Sequence, residues 1–211
     1  MIDLYTWPTP NGRKVSILLE ELGIKYTVFP INIGKGDQLS DEFRKISFNH
    51  KIPVIYDHEN QRSITESGTI LIYLAEKFGN FLRTDEYRWD TLQWLMWQMS
   101  SIGPIFGQAH HFLYYNPGRS TYSEERFKNE VKKLYNLLNQ RLENFDYVSG
   151  PEKGEYSIAD IALWPWISRF QRHGIDLNDY PGVYRWYKTI YARPAVQKGY
   201  NVPHFEAEIP T

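Results

Sequence analysis

The 211-residue chain is 42% hydrophobic, 23% charged and 16% aromatic, a composition that excludes disorder, collagen-like sequence and coiled coil and allows one large or two small domains. With 24 basic against 25 acidic side chains and a net charge of -1, it carries no electrostatic footprint for nucleic acid or an anionic membrane surface. It has no cysteine, so a disulfide framework, a thiolate zinc site and a cysteine nucleophile are excluded, and any thiol chemistry needs a borrowed thiol.

In chain order, Ile2 to Trp7 reads as a strand. Thr9-Pro10-Asn11-Gly12 interrupts it, and Val15, Leu18, Leu19 and Leu22 then follow at the spacing of one buried helix face, with Gly23 as the stop. Tyr26 to Ile33 is a second strand and Asp41 to Ile46 a short helix. Pro53 to Asp57 and Arg62 to Thr65 are two further strands across a polar turn. Ile70, Tyr73, Leu74 and Lys77 mark another helix, stopped by Gly79. The order β-α-β-α-β-β-α favours an α/β unit. Beyond Thr84 the strand signal disappears and helices follow. Thr91 to Phe112 is expected to kink at Gly103-Pro104; Phe127 to Leu142 carries a continuous apolar stripe; Ser157-Ile158-Ala159-Asp160 forms a capping box; and Val183 to Ile190 is a further helix. The expected division is an α/β domain over 1–80 and an all-helical domain over 85–211.

Two segments admit chemistry beside structure. Ile52-Pro53 heads an apolar strand; alone it reads as a trans proline, because only about 5–6% of X-Pro bonds in folded proteins are cis. Thr65-Glu66-Ser67-Gly68 reads as an ordinary helix N-cap, yet free N–H groups there suit a ligand carboxylate while Glu66 suits a ligand ammonium. His110-His111 lacks a third ligand and is not expected to bind metal. No basic n-region or apolar run of about 20 residues is present, so the expectation is a soluble, cytoplasmic chain without a membrane span.

Together the element order, Ile52-Pro53, Glu66-Ser67, the capping box at Ser157-Ile158-Ala159-Asp160 and the closing Ala192-Arg193-Pro194-Ala195 resemble the cytosolic glutathione transferases. That family joins a thioredoxin-like first domain to an all-helical second domain that forms the second-substrate pocket. Thr9-Pro10-Asn11-Gly12, Gly34-Lys35-Gly36-Asp37-Gln38-Leu39 and the run from Gly103 to Phe112 are most similar to the bacterial nu class and the fungal relatives of the prion-forming nitrogen regulator.

The resemblance implies that Glu66 and Ser67 hold the γ-glutamyl end of glutathione. It assigns the cysteinyl backbone to Ile52, presented by a cis Pro53, and the glycyl end to Gln38 and Lys51, with Arg126 as a further contact. It assigns sulfur activation to Asn11 and Thr9; Thr9 before Pro10 is equally a helix N-cap. It implies a homodimer that uses glutathione as co-substrate, with no metal, to reduce disulfides without protein cysteines. The rival readings are conjugation of glutathione to electrophiles, a weak peroxidase, or a glutathione-binding regulator without catalysis.

Overall fold

The structure, a computed structural model, describes residues 1–203 and 208–211. It divides into two compact units, one of Met1–Leu82 with Ala192–Ile209 and the other of Arg83–Tyr191 with Pro210–Thr211.

In the first unit a four-stranded sheet has the order β2-β1-β3-β4. Strand β1 (Ile2–Thr6) runs parallel to β2 (Tyr26–Pro30) and antiparallel to β3 (Val54–Asp57), which pairs with β4 (Arg62–Thr65). Leu4, Val54 and Ile55 from the sheet and Val15, Leu18 and Leu74 from the helices are fully buried. Helix α1 (Pro10–Glu21) packs against α3 (Ser67–Phe78), and the short α2 covers Asp41–Arg44. Asp57, at the end of β3, is tied to Tyr73 and Lys77 of α3, and these bonds hold the carboxylate's pKa down to about 2 despite its burial. A sheet with this strand order, one parallel and two antiparallel pairings and helices laid on it is the thioredoxin-like architecture that the element order implied.

The last helix, α9 (Pro194–Tyr200), belongs to this unit and not to the helical one, so the structure assigns it differently from the expected 85–211 domain. The reason lies on α1, whose second face, around Arg13, Ser16 and Ile17, is buried against α9. A Cβ at Gly199 would lie 2.6 Å from the Ile17 Cα, and Ser16 Oγ donates to the Gly199 carbonyl at 2.6 Å. Arg13 Nε donates to the Tyr200 carbonyl at 3.0 Å, with its guanidinium 3.5 Å from the Tyr200 ring centre.

Gly12 is where the β1–α1 turn closes, because an added Cβ would collide with the Trp7 carbonyl oxygen and the Thr6 hydroxyl. Gly12→Ala is therefore expected to cost about 1–3 kcal/mol, by the usual range for overpacking a tight site. Urea unfolding checks this as a lower midpoint at unchanged slope.

The second unit is helical: α4 (Tyr87–Trp97), α5 (Gly103–Ala109), α6 (Thr121–Asn144), α7 (Ile158–Ile167) and α8 (Pro181–Tyr191). At Gly103-Pro104, where a kink was expected, the helical hydrogen-bond pattern changes. A wider π turn over Gln98–Ile102 comes first, and Pro104 then occupies the first turn of α5, where its missing N–H costs nothing. A second π turn spans His110–Tyr115. The capping box is present at α7. Asp160, fully buried, accepts from the Ser157 N–H at 3.0 Å, the Ser157 hydroxyl at 3.1 Å, the Val148 N–H at 3.1 Å and Trp186 Nε1 at 2.9 Å. No helix among the described residues is long and apolar enough to cross a membrane.

Candidate functional site

Eight of the nine candidate residues lie in the first unit: Thr9, Asn11, Gln38, Lys51, Ile52, Pro53, Glu66 and Ser67. Arg126 is exposed on α6 of the second unit.

The β1–α1 turn places Thr9 as the N-cap of α1, its Oγ1 accepting from the Gly12 N–H at 3.1 Å. This settles the structural role without removing the chemical one, since a hydroxyl that accepts at its oxygen retains its proton to donate. Asn11 follows in the first turn of α1, half-buried. Tyr5 stays in β1, with its ring stacked on Phe29 at 4.8 Å, and burial raises its phenol pKa. It is a packing residue.

The Ile52–Pro53 bond is cis. Among the described residues neither the N–H nor the C=O of Ile52 enters a hydrogen bond, although β3 begins to pair two residues later at Val54. The loop before it is held by side chains: Lys51 N–H donates to Ser47 Oγ at 3.1 Å, Ser47 Oγ donates to the Lys51 carbonyl at 3.0 Å, and Asn49 Nδ2 donates to Glu66 Oε1 at 2.6 Å. Lys51 itself is exposed. Gln38, in the 3-10 turn Asp37–Leu39, holds its Oε1 buried without a partner among the described residues.

Glu66 precedes α3 with φ 64°, a backbone conformation that side chains other than glycine rarely adopt and that costs of order 1–3 kcal/mol. Among the described residues no side chain caps α3, as at α4, α5 and α9, whereas Thr9 caps α1, Ser120 caps α6 and Ser157 caps α7. The ordinary N-cap expected at Thr65-Glu66-Ser67 is thus replaced by a strained, uncapped turn with Glu66 exposed and Ser67 buried. Its amide groups and the positive end of the helix dipole favour an anion, and the Glu66 carboxylate favours a cation.

Sequence reasoning passed over two residues. Asn49 orients Glu66. Lys14, 1% exposed, donates from Nζ to Ser67 Oγ at 3.2 Å. A usable signal for Lys14 was its place four residues before Leu18, on a helix turn otherwise filled by the buried stripe.

His110 and His111 diverge as adjacent helical residues must: His110 is buried and stacks on His173 at 4.7 Å, while His111 is exposed. Burial lowers the His110 pKa to about 4. No group of three or more metal-ligating side chains occurs among the described residues.

Residues 4–81 match the model of the glutathione S-transferase N-terminal domain and residues 102–194 that of the C-terminal domain. The chain is 47% identical over 201 residues to the disulfide-bond oxidoreductase YfcG of Escherichia coli, covering 92% of each chain. It is similar to a Pseudomonas putida glutathione transferase solved with one glutathione disulfide per subunit, at TM-score 0.89 and 40% identity over 96% of this chain and 91% of that one. A Lodderomyces elongisporus homologue solved with two glutathione molecules per subunit has TM-score 0.89 and 34% identity over 96% and 98%.

Proposed function

The chain belongs to the glutathione transferase family, and on that premise we propose that it is a glutathione-dependent disulfide reductase that needs no thiol of its own. The observation that carries this reading is a set of groups suited to such a ligand in the first unit of a cysteine-free chain: the turn at Glu66-Ser67 with no side-chain cap, the backbone of Ile52, unpaired among the described residues, and the side chains of Thr9 and Asn11. Its likeness to a disulfide-bond oxidoreductase and to a transferase solved with glutathione disulfide supports the same reading.

In this reading Glu66 pairs with the ammonium of the γ-glutamyl group, and Ser67 with the first amides of α3 receives its carboxylate. The N–H and C=O of Ile52 hold the cysteinyl residue as an added strand would. Gln38 and Lys51 serve the glycyl carboxylate. Thr9 and Asn11 donate to the sulfur. A thiol like that of free cysteine has a pKa of ~8.5, and lowering it by one unit requires ~1.36 kcal/mol of differential stabilisation, within reach of one such donor.

The chemistry balances with glutathione as substrate. One glutathione thiolate attacks a sulfur of the target disulfide, whose S–S bond breaks, and the leaving thiolate takes up a proton. A second glutathione thiolate attacks the mixed disulfide, which releases the second target thiol and glutathione disulfide. Two thiols are oxidised and one disulfide is reduced; the chain contributes alignment and hydrogen bonds.

The test is steady-state reduction of hydroxyethyl disulfide by glutathione, coupled to glutathione reductase. Turnover above the uncatalysed exchange is expected, and its absence overturns the reading. Treating the enzyme with iodoacetamide, then removing the reagent, is expected to leave the rate unchanged, because no protein thiol exists to alkylate. Faster turnover of a chlorinated nitroaromatic than of the disulfide would move the assignment to conjugation. The family relation also supports a homodimer working in the cytoplasm, which light scattering and cell fractionation test.

A further inference from the structure

The run from Gly103 to Phe112 takes no part in the chemistry proposed above. It covers α5 and enters the second π turn, so α5 is a seven-residue helix with a wider turn at each end. A π ladder is rarely adopted for its own sake, and such a junction depends on what packs against it.

Where α5 passes into the π turn, the His110 ring lies against His173 of the 3-10 turn Phe170–His173, with ring centres 4.7 Å apart and planes within 11°. The two histidines are 7% and 1% exposed. Phe106 lies 4.3 Å from the His173 ring and Trp166 5.7 Å from the His110 ring. The Tyr135 hydroxyl of α6 shares a hydrogen bond with His173 Nδ1 at 3.1 Å. Both Nε2 atoms are buried without a hydrogen-bond partner among the described residues.

Neutral imidazoles suit this aromatic surrounding. A proton added to either ring would create a buried cation, face to face with the other ring, with an N–H that lacks an acceptor. The charged groups that act on the pair oppose it further: Arg169 and Arg172 are both cations. Arg172 donates from Nη1 to the Tyr115 hydroxyl at 3.1 Å and lies 4.5 Å from the Tyr114 ring centre. The other titratable groups around the pair are phenols, Tyr135 of α6 and, 5.3 Å from its ring, Tyr180. No carboxylate among the described residues acts on either imidazole.

We propose that the His110–His173 stack is an acid-released latch. Neutral rings close the turn Phe170–His173 onto the end of α5, and a proton on either ring opens that contact while the rest of the second unit stays folded.

Burial, reinforced by Arg172 and Arg169, lowers the His110 pKa to about 4; burial, then His110 and the same arginines, takes His173 well below its ordinary value. Once the contact opens, each ring returns toward about 6.5. The open form therefore takes up the proton first. The latch holds fully above about pH 6.5, and its hold weakens as pH falls toward about 4. Between pH 7 and pH 5 His110 alone multiplies the open population about 20-fold.

The test is hydrogen–deuterium exchange of the whole chain at pH 7 and pH 5, read by peptide mass spectrometry as protection relative to the intrinsic rate at each pH. Amides over 103–115 and 170–174 are expected to lose about 20-fold or more of their protection at pH 5, while those of α7 and α8 keep theirs. The double variant His110→Phe with His173→Gln keeps a ring at one position and a partner for Tyr135 at the other, and is expected to show no such loss. Unchanged protection over 103–115 in wild type overturns the proposal. So does a loss that persists in the folded double variant, or one shared equally by α7 and α8, which would mean that the unit unfolds as a whole.

Nuclear magnetic resonance titration of the wild-type imidazoles needs no variant to decide. His110 and His173 are expected to stay neutral in the closed protein at pH 5.5, and either of them titrating near 6.5 would also overturn the latch.

Discussion

Replacing Asn11 with alanine is expected to lower kcat for glutathione-dependent disulfide reduction about 10-fold at pH 7, with little change in the KM for glutathione. The magnitude is the balance of two opposed effects. Losing one donor to a thiolate raises the thiol pKa by about 1–2 units, which removes 10- to 100-fold of the thiolate at pH 7. The thiolate that remains is more basic and more nucleophilic, with a Brønsted slope of about 0.4–0.5, so roughly half of that loss on the logarithmic scale is recovered. Loss of sulfur orientation adds the rest.

KM is expected to hold because Glu66, Ser67 and Ile52 are untouched. Asn11 lies in the first turn of α1, one residue before Gly12, so the variant leaves the turn's tight contact intact. The pH–rate profile is the decisive readout: the variant's curve shifts to higher pH and the gap narrows toward pH 9. A profile that overlays wild type would remove Asn11 from the role of sulfur donor and leave Thr9 to carry it.

The largest expected loss of stability falls in the second unit, at Asp160. Asp160→Ala leaves the Val148 and Ser157 N–H groups, the Ser157 hydroxyl and Trp186 Nε1 without their acceptor. Each buried donor left unsatisfied costs about 1–3 kcal/mol, and partial relaxation brings the sum to about 3–5 kcal/mol, a large part of the about 5–15 kcal/mol that holds a typical domain folded. Asp160→Asn keeps one acceptor oxygen and is expected to cost roughly half as much.

Urea unfolding at pH 7 measures both variants. Burial raises the Asp160 carboxyl to about 6, against the four donated bonds that pull it down. Between about pH 4 and 6 the native carboxyl therefore holds a proton that the unfolded one has released, and this group's contribution falls as pH rises through that window. At pH 7 the comparison lies above it. An Asp160→Ala protein with a wild-type midpoint would mean that the four donors find other partners.

The sheet and most helices were legible because each has a strong local cause: an alternating or 3.6-residue apolar pattern closed by Gly23, Gly79 or the Ser157 capping box. The cis geometry at Ile52–Pro53 was not readable from the dipeptide and became so only through the order of elements around it. Helix α9 lay outside the periodicity argument. Its cause is the second face of α1, on which Arg13 and Ser16 look like solvent-facing residues until Tyr200 and Gly199 cover them. The π turns also left no pattern, since an extra residue per turn alters the hydrogen-bond ladder and not the composition. At the candidate site the polar residue types stand in the sequence, and the side chains that hydrogen-bond to them could not be read from it. Glu66 and Ser67 announce a polar turn, whereas Asn49 and Lys14, which hydrogen-bond to them, do so across gaps of 17 and 53 positions in the sequence.

The return of α9 to the first unit bears on the order in which the protein can be made. The strands and α1 leave the ribosome early, yet the helix that seats on Ile17 and Arg13 begins at residue 194, after the whole of Arg83–Tyr191 has been synthesised. At about 5–20 residues per second this is a wait of roughly 5–20 s, during which α1 exposes a face that belongs in the interior. The half that carries the proposed chemistry is translated first and completed last, so a nascent chain stalled before residue 194 would hold the candidate site unfinished.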